Sequence, residues 1–183
     1  MWVGVPTIPR CGSACYVRNV LLIFRLILVI ARNALRSRVD LDGESVIRTR
    51  VWPTDMDLNF HLNDGRYVSL TGLGRVDLMM RTGLLRRALR RGWRPVVGGI
   101  VIRYRREIRA MERFRVITKI IGWDEKWFYF EHRFEKNGDV AAVSYARGVM
   151  RAREGGVPSA DVLALVGWTK PSPPLPDIVD KFL

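Results

Sequence analysis

Apolar and polar residues alternate with a helical period at the start of the chain. Residues 16–35 are almost continuously apolar, but arginines recur along this stretch and just after it, at Arg18, Arg25, Arg32 and Arg36. Spacings of seven, seven and four residues put these arginines on one narrow stripe, because side chains so spaced share a helix face. The pattern predicts an amphipathic N-terminal helix within an extension that covers residues 1–43.

A strand, a polar loop and a long helix are predicted next. Residues 45–52 have strand character, and apolar residues recur at helical spacing across residues 67–91, after a loop rich in Asp and Asn. Gly72 and Gly74 lie inside the helical stretch, where each costs up to about 1 kcal/mol relative to Ala. Close contact with a sheet would offset that cost, so the glycines favour a helix enclosed by a sheet.

The strands that follow predict an antiparallel meander. Apolar residues with period two recur in three segments, residues 100–105, 114–120 and 127–134. The dipeptide Asn137-Gly138 is typical of a type I′ hairpin turn and leads into a last strand, residues 140–151. The order of elements predicts one α+β domain over residues 44–153. Residues 154–183 are predicted to add a short helix and an extended, Pro-rich tail on the surface.

Composition narrows the choice of partners. The chain has 183 residues, 48% of them hydrophobic, which favours a single folded domain. Its net charge of +13 points to anionic partners: nucleic acid, an anionic membrane surface, or a phosphate-bearing substrate such as coenzyme A. Nucleic acid is not expected, because the strand aromatics alternate as core residues do and the sequence contains no RNA-recognition or zinc-finger motif.

The cysteines and histidines give no sign of a metal site. Cys11 and Cys15 are the only cysteines, and they lie far in sequence from His61 and His132. A structural zinc site needs four ligands, so we expect neither a metal nor a cofactor. Free thiols are typical of a reducing compartment, and we predict a cytoplasmic protein.

The N-terminal helix is open to several interpretations. A membrane-spanning helix would hold Arg25 near the bilayer centre, at about 2.5–3.5 kcal/mol. A secretory signal needs an uninterrupted apolar stretch, which Arg25 breaks. A helix lying in the interface, with its arginines toward lipid head groups, fits better and would attach the protein peripherally to an anionic membrane. Packing on the domain's own apolar surface, or on a partner, is the alternative.

Two separated motifs resemble those of one enzyme family. Residues 54–67 resemble the active-site loop of hotdog-fold acyl thioesterases, in the branch of 4-hydroxybenzoyl-CoA thioesterase, plant acyl-ACP thioesterases and thioesterase-superfamily member six proteins. Residues 122–131 resemble a second segment of the last group, and the likeness covers about residues 46–151. It implies a hotdog fold, an antiparallel sheet around a long central helix, and a homodimer or higher homo-oligomer.

The resemblance also implies site residues. Asp57 matches the catalytic Asp of the 4-hydroxybenzoyl-CoA thioesterase branch. Together, Asp57, Asn59 and His61 match the Asp-x-Asn-x-His set of the plant enzymes. Tyr67 matches the aromatic residue that opens the central helix.

Thioester chemistry favours the same loop. A carboxylate such as Asp57 can attack the carbonyl or activate a water, His61 can deliver or orient a proton, and Asn59 can hold the substrate or the water. Backbone N–H groups at the start of the Tyr67 helix can stabilise an oxyanion.

Further residues are candidates for substrate binding. We expect Tyr67 and Asn63 to contact the acyl thioester. Arg103 and Arg105 belong to an arginine-rich hairpin and could bind coenzyme A phosphates, since Arg is suited to bidentate phosphate contacts.

The leading function is therefore hydrolysis of fatty acyl-CoA or acyl-ACP. Relatives often carry an acidic residue early in the central helix, whereas residues 70–73 are Leu-Thr-Gly-Leu. Asp77, about one turn later, is either a substitute for that acid or a salt-bridge partner. Two alternatives stay open: a catalytically silent acyl-binding or scaffold protein, and a hotdog enoyl-CoA hydratase.

Overall fold

In the computed structural model, which describes residues 13–33 and 35–182, an antiparallel sheet curls around one central helix. The helices are α1 (Ser13–Asn33), α2 (Asp64–Arg81), α3 (Leu84–Arg90), α4 (Ser159–Ala164) and α5 (Asp177–Phe182). The strands are β1 (Ser45–Arg50), β2 (Arg94–Tyr104), β3 (Arg113–Trp123), β4 (Phe128–Lys136), β5 (Asp139–Ala152) and β6 (Gly155–Gly156). Strand order is β1-β3-β4-β5-β2, with β6 paired to β5. The predicted α+β class is confirmed.

Helix α2 lies close against the sheet at Gly74, one of the two glycines that predicted this contact. A Cβ atom at Gly74 would stand 2.2 Å from the Thr118 hydroxyl of β3, so only glycine fits there. Gly72 has more room, because the nearest atom to its Cβ position is an Arg75 nitrogen at 3.8 Å. Leu70 and Phe134 are buried in the core between α2 and the sheet.

Turn glycines determine where two elements end. The single helix predicted over residues 67–91 is in fact two, because Gly83 has a left-handed φ of 75° and separates α2 from α3. Asn137 and Gly138 both have positive φ (52° and 89°), as the type I′ hairpin between β4 and β5 requires. That prediction is confirmed. Helix α5 was not predicted.

Arg25, in the middle of the arginine stripe of α1, faces the protein and not lipid head groups, which corrects the predicted orientation of this arginine, whereas Arg32 of the same stripe is exposed. Arg25 is only 8% exposed, and its Nη1 lies 3.1 Å from Oδ1 of Asp55, which is 1% exposed. Arg25 also donates to the carbonyl of Arg50. Asp55 approaches Arg66 as well, with Nε to Oδ1 at 3.5 Å. A buried ion pair therefore fixes the rotation of α1 about its axis.

A second buried carboxylate holds the end of α1. Asp77 accepts hydrogen bonds from Asn33 (2.9 Å), Arg36 (3.2 Å) and the Ser45 hydroxyl. Asp77 is thus the salt-bridge partner of the N-terminal segment. It does not replace the missing acid of the central helix.

The apolar side of α1 faces outward as a result. Ile23, Phe24 and Ile27 are each more than half exposed, while Leu22 and Leu26 pack on the core. Among the described residues, none of the helices has the length and hydropathy that a membrane span requires. Cys11 lies outside the described residues, as do the side chains of Cys15 and Arg18, so the reducing compartment stays a prediction.

The buried His132 predicts a pH dependence of stability. Its Nε2 lies 3.1 Å from Arg75 Nη1, and its Nδ1 lies 2.9 Å from Thr118 Oγ1, which fits a neutral ring. Burial, reinforced by the charge of Arg75, lowers the pKa of His132 well below its ordinary 6.5. Below pH 6.5 the unfolded chain therefore binds a proton that the folded protein does not, and stability falls by up to about 1.4 kcal/mol per pH unit.

Urea unfolding just above and below pH 6.5 measures this loss. The variant His61→Gln, which changes the only other histidine, should keep the slope. The variant His132→Gln should lose it. A slope that disappears in His61→Gln instead would contradict the assignment.

Candidate active site

The loop between β1 and α2 is anchored at its base and turns tightly at its tip. Asp55 accepts from the N–H of Trp52 (3.0 Å), and its carbonyl accepts from the N–H of Asn63 (2.9 Å). At the tip, the N–H of Asp57 donates to the carbonyl of His61 (3.0 Å). Phe60 closes the turn with a left-handed φ of 60°. This turn brings Asp57 and His61 side by side.

The Asp57 carboxylate stabilises the loop with one oxygen and faces a cleft. Its Oδ1 accepts from the N–H groups of Asn59 (2.8 Å) and His61 (3.2 Å), which stabilises the turn. Neither of these two hydrogen bonds uses Oδ2. The half-buried side chain lines an open cleft of about 350 Å³ beside the amino end of α2, together with His61, Tyr67 and Arg105. We call this the Asp57 cleft.

His61 contacts a carboxylate that the sequence did not indicate. Its Nε2 lies 3.1 Å from Oε2 of Glu107, and both side chains line the Asp57 cleft. Arg109 Nε donates to the other oxygen of Glu107 at 2.6 Å, which holds that carboxylate in place. Glu107 is one of two acids in the basic run 103–115, and that rarity was the available signal.

Tyr67 supplies a buried phenol to the same cleft. Its ring packs edge-on against Tyr104 (5.0 Å between centroids) and Phe134 (4.8 Å). Burial, with smaller contributions from Tyr104 and Asp57, raises the pKa of Tyr67 to about 12. The hydroxyl therefore stays protonated at neutral pH and can donate a hydrogen bond.

The first turn of α2 is partly capped by its own side chains. Asn63 is the N-cap, and its Oδ1 accepts from the N–H of Gly65 at 3.1 Å. Asp64 Oδ1 accepts from the same N–H at 2.7 Å, and the N–H of Arg66 donates to the Asn63 carbonyl. Fewer backbone donors are thus left for an oxyanion than the sequence suggested, and the Tyr67 hydroxyl becomes the better placed donor.

The structure brings together only part of the predicted set. Asp57, His61, Tyr67 and Arg105 line the Asp57 cleft. Asn59 is exposed at the tip of the loop, and Arg103 is exposed near the end of β2; neither belongs to the cleft lining. Asn63, which caps α2, is not part of the lining either.

A second, apolar pocket lies farther along α2, between the helix and the sheet. It has a volume of about 210 Å³ and is lined by residues including Val76, Met79, Val96 and Phe130, with Arg75 also in its wall. Val76 is nine positions after Tyr67 on the helix, so the pocket lies roughly 14 Å along the helix from the cleft. Burial lowers the pKa of Arg75 to about 10.

Comparisons with known proteins agree on one family. A family model described as the thioesterase-like superfamily matches residues 51–183. Protein THEM6 of Danio rerio is 38% identical over 110 residues, which cover 59% of this chain and 54% of that protein. The chain thus spans about half the length of this curated relative.

Solved structures share the fold. A gentisyl-coenzyme A thioesterase superposes with a TM-score of 0.57 at 18% identity, covering 67% of this chain and all of the other. A Staphylococcus aureus protein solved in complex with CoA superposes with a TM-score of 0.61 at 15% identity, covering 78% of this chain and 96% of that one. The predicted hotdog fold and the resemblance to thioesterase-superfamily member six proteins are confirmed.

Proposed function

Because the chain belongs to the thioesterase-like superfamily, we propose that it is a thioester hydrolase that acts in the Asp57 cleft. One observation carries the proposal: the Asp57 carboxylate and the His61 ring line one cleft, beside the protonated hydroxyl of Tyr67 at the amino end of α2.

Hydrolysis can be followed atom by atom with these groups. Asp57 takes a proton from a water whose oxygen attacks the thioester carbonyl carbon; on the alternative route its carboxylate attacks directly, and water then hydrolyses the acyl-aspartyl anhydride that forms. The negative charge on the carbonyl oxygen is stabilised by the Tyr67 hydroxyl and by the positive end of the α2 dipole. The C–S bond then breaks, and His61, held by Glu107 at 3.1 Å, gives a proton to the leaving thiolate; the proton that Asp57 took from water then passes to His61 and restores both groups.

Coenzyme A thioesters are the substrates that the cleft favours. Arg105 lines it and can pair with phosphates, and the neighbouring Arg106, which also lines it, pairs with Asp139. Two of the similar structures are consistent with this choice, since one is a gentisyl-coenzyme A thioesterase and the other holds CoA. The apolar pocket near Val76 is suited to the hydrocarbon of a fatty acyl chain. An acyl carrier protein substrate would present the same phosphopantetheine thioester.

We also propose that two copies pair through β2. This edge strand is 11 residues long and carries exposed Val96 and Val97. A long edge strand with apolar side chains is a template for pairing with another chain. Sedimentation equilibrium of the full chain should give the mass of a dimer, and the mass of a monomer would contradict the pairing.

One observation favours a catalytically silent acyl-binding protein instead. Leu70, Thr71 and Leu73 of α2 are buried, so these positions offer the cleft no acid. If the protein is an enzyme, Asp57 must act as base or nucleophile without a second acid from α2, and Glu107 contacts His61 rather than the substrate.

A thiol-release assay across acyl-CoA chain lengths tests the proposal. We expect saturable release, with kcat on the order of 1–10³ per second for the preferred chain. Binding of acyl-CoA without thiol release would establish the silent alternative. Conversion of enoyl-CoA without free thiol would identify a hydratase.

A further inference from the structure

A groove between α1 and the β1–β3 edge of the sheet carries an unusual concentration of arginine. In the antiparallel pairing, Arg48 lies directly opposite Arg115, and Arg50 directly opposite Arg113. Residues two apart on a strand share a face, so these four arginines form one patch. Like charges directly opposite each other destabilise a sheet. The arrangement therefore indicates a role other than stabilising the fold.

This groove, which we call the arginine groove, has a volume of about 980 Å³. Arg115 pairs with Glu135 at 2.8 Å, and Arg25 with Asp55. Within residues 13–33 and 35–182, however, no carboxylate forms an ion pair with the groove residues Arg32, Arg48, Arg50 and Arg113. The groove thus keeps a net positive charge.

The exposed apolar face of α1 adjoins the arginine groove. Successive helix residues turn by about 100°, so Ile23, Phe24, Ile27, Leu28 and Ile30 occupy a continuous arc of roughly 160°. All five are exposed, Phe24 by 54% and Ile27 by 56%. Phe24 and Leu28 also line the arginine groove itself. The face therefore combines an apolar arc on α1 with the cationic groove beside it.

The buried ion pair between Arg25 and Asp55 keeps the apolar arc of α1 exposed. Rotating α1 to bury Ile27 would pull Arg25 away from Asp55 and leave a buried carboxylate without its partner. Trp52, which is 44% exposed, lies in the same groove. Trp is enriched where apolar and polar layers of a membrane meet.

We propose that this face, α1 together with the arginine groove, docks on an anionic lipid bilayer. The apolar arc would enter the acyl layer while the arginines contact lipid phosphates. A free phosphate ligand would use only the arginines and leave the apolar arc in water. A symmetric second copy would bring two arginine grooves together, which the net charge of +13 opposes. This proposal is independent of the hydrolase activity.

Vesicle flotation with the full chain tests the cationic half. The protein should bind vesicles of equal parts phosphatidylcholine and phosphatidylserine, and bind pure phosphatidylcholine far less. Each arginine near an anionic surface is worth roughly fivefold in partitioning. The triple variant Arg48→Gln, Arg50→Gln and Arg113→Gln should therefore bind on the order of a hundredfold less. A matched variant, Arg86→Gln, Arg87→Gln and Arg90→Gln on exposed positions of α3, should lose much less.

The apolar half is tested by Phe24→Asn with Ile27→Asn, which should weaken binding at least tenfold. The control Leu89→Asn changes an equally exposed residue of α3 and should have little effect.

Four outcomes would overturn the proposal. Equal binding to neutral and anionic vesicles would show that the arginines do not contribute to binding. Equal losses of binding in the groove and α3 triple variants would show that only net charge matters. Coenzyme A in solution that displaces the protein from anionic vesicles would make the groove a free-ligand site. A change of oligomeric mass in Phe24→Asn with Ile27→Asn, without loss of vesicle binding, would make the face a contact between copies.

Discussion

Replacing Asp57 with Asn should lower kcat for thioester hydrolysis by about 10²–10⁴-fold, the range that a general base contributes. The amide keeps an Oδ1 acceptor for the N–H groups of Asn59 and His61, so the turn should persist. It can neither accept a proton nor attack a carbonyl. The free energy of unfolding should therefore change by less than about 1 kcal/mol. Thiol release at saturating acyl-CoA and urea unfolding measure the two quantities.

Asp64→Asn is the matched control. Asp64 also lines the Asp57 cleft, and its Oδ1 accepts the N–H of Gly65, a bond that Asn preserves. The substitution keeps the size of the side chain and its acceptor, so kcat should change less than tenfold. Equal losses in both variants would show that the charge of the cleft matters and that the position of Asp57 does not. Unchanged turnover in Asp57→Asn would remove it from the mechanism.

Replacing Arg25 with Met should destabilise the protein by about 3–5 kcal/mol, as removal of one partner from a buried ion pair does. Asp55 is 1% exposed and would keep the N–H of Trp52 and, as a cationic neighbour, Arg66, whose Nε lies 3.5 Å away. The carbonyl of Arg50 would lose its donor as well. Urea unfolding measures the change. The control Arg32→Met alters an exposed arginine of the same helix and should stay within about 0.5 kcal/mol.

A second substitution separates the buried charge from simple packing. Adding Asp55→Asn to Arg25→Met removes the unpaired carboxylate and should recover part of the lost stability, since neighbouring sites are not additive. No recovery would mean that the arginine stem, and not its charge, holds α1. Because the Asp55 carbonyl also binds the N–H of Asn63, Arg25→Met should lower thioesterase activity too.

The sheet could be predicted because its signals are local. Period-two alternation and the Asn137-Gly138 turn define the meander without reference to the rest of the chain. The break between α2 and α3 could not, because Leu84 and Ala88 continue the apolar period past Gly83 and are buried in turn. Only the left-handed φ at Gly83 shows that the helix ends there.

The orientation of α1 depends on a contact that the sequence does not show. Helical spacing puts the arginines on one stripe, but whether the stripe faces lipid or protein depends on Asp55 and Asp77, which lie in distant segments. A polar stripe on an apolar helix suggests an exposed polar face, but here the buried Asp55 holds Arg25 against the protein while Arg32 stays exposed.

The grouping of the candidate residues could be predicted as far as the motif extends. Asp57, His61 and Tyr67 come from one contiguous loop and helix start, and the structure places them in one cleft. Glu107 belongs to the loop after β2, which the curl of the sheet brings to His61. No spacing in the sequence relates the two residues.

A crystal structure with a non-hydrolysable acyl-CoA analogue tests the central claim most directly. We predict that the carbonyl carbon of the analogue lies beside the Asp57 carboxylate, with its oxygen about 2.6–3.2 Å from the Tyr67 hydroxyl. The acyl chain should point along α2 toward Val76. An analogue whose carbonyl lies outside the Asp57 cleft, for example in the arginine groove, would contradict the proposed mechanism.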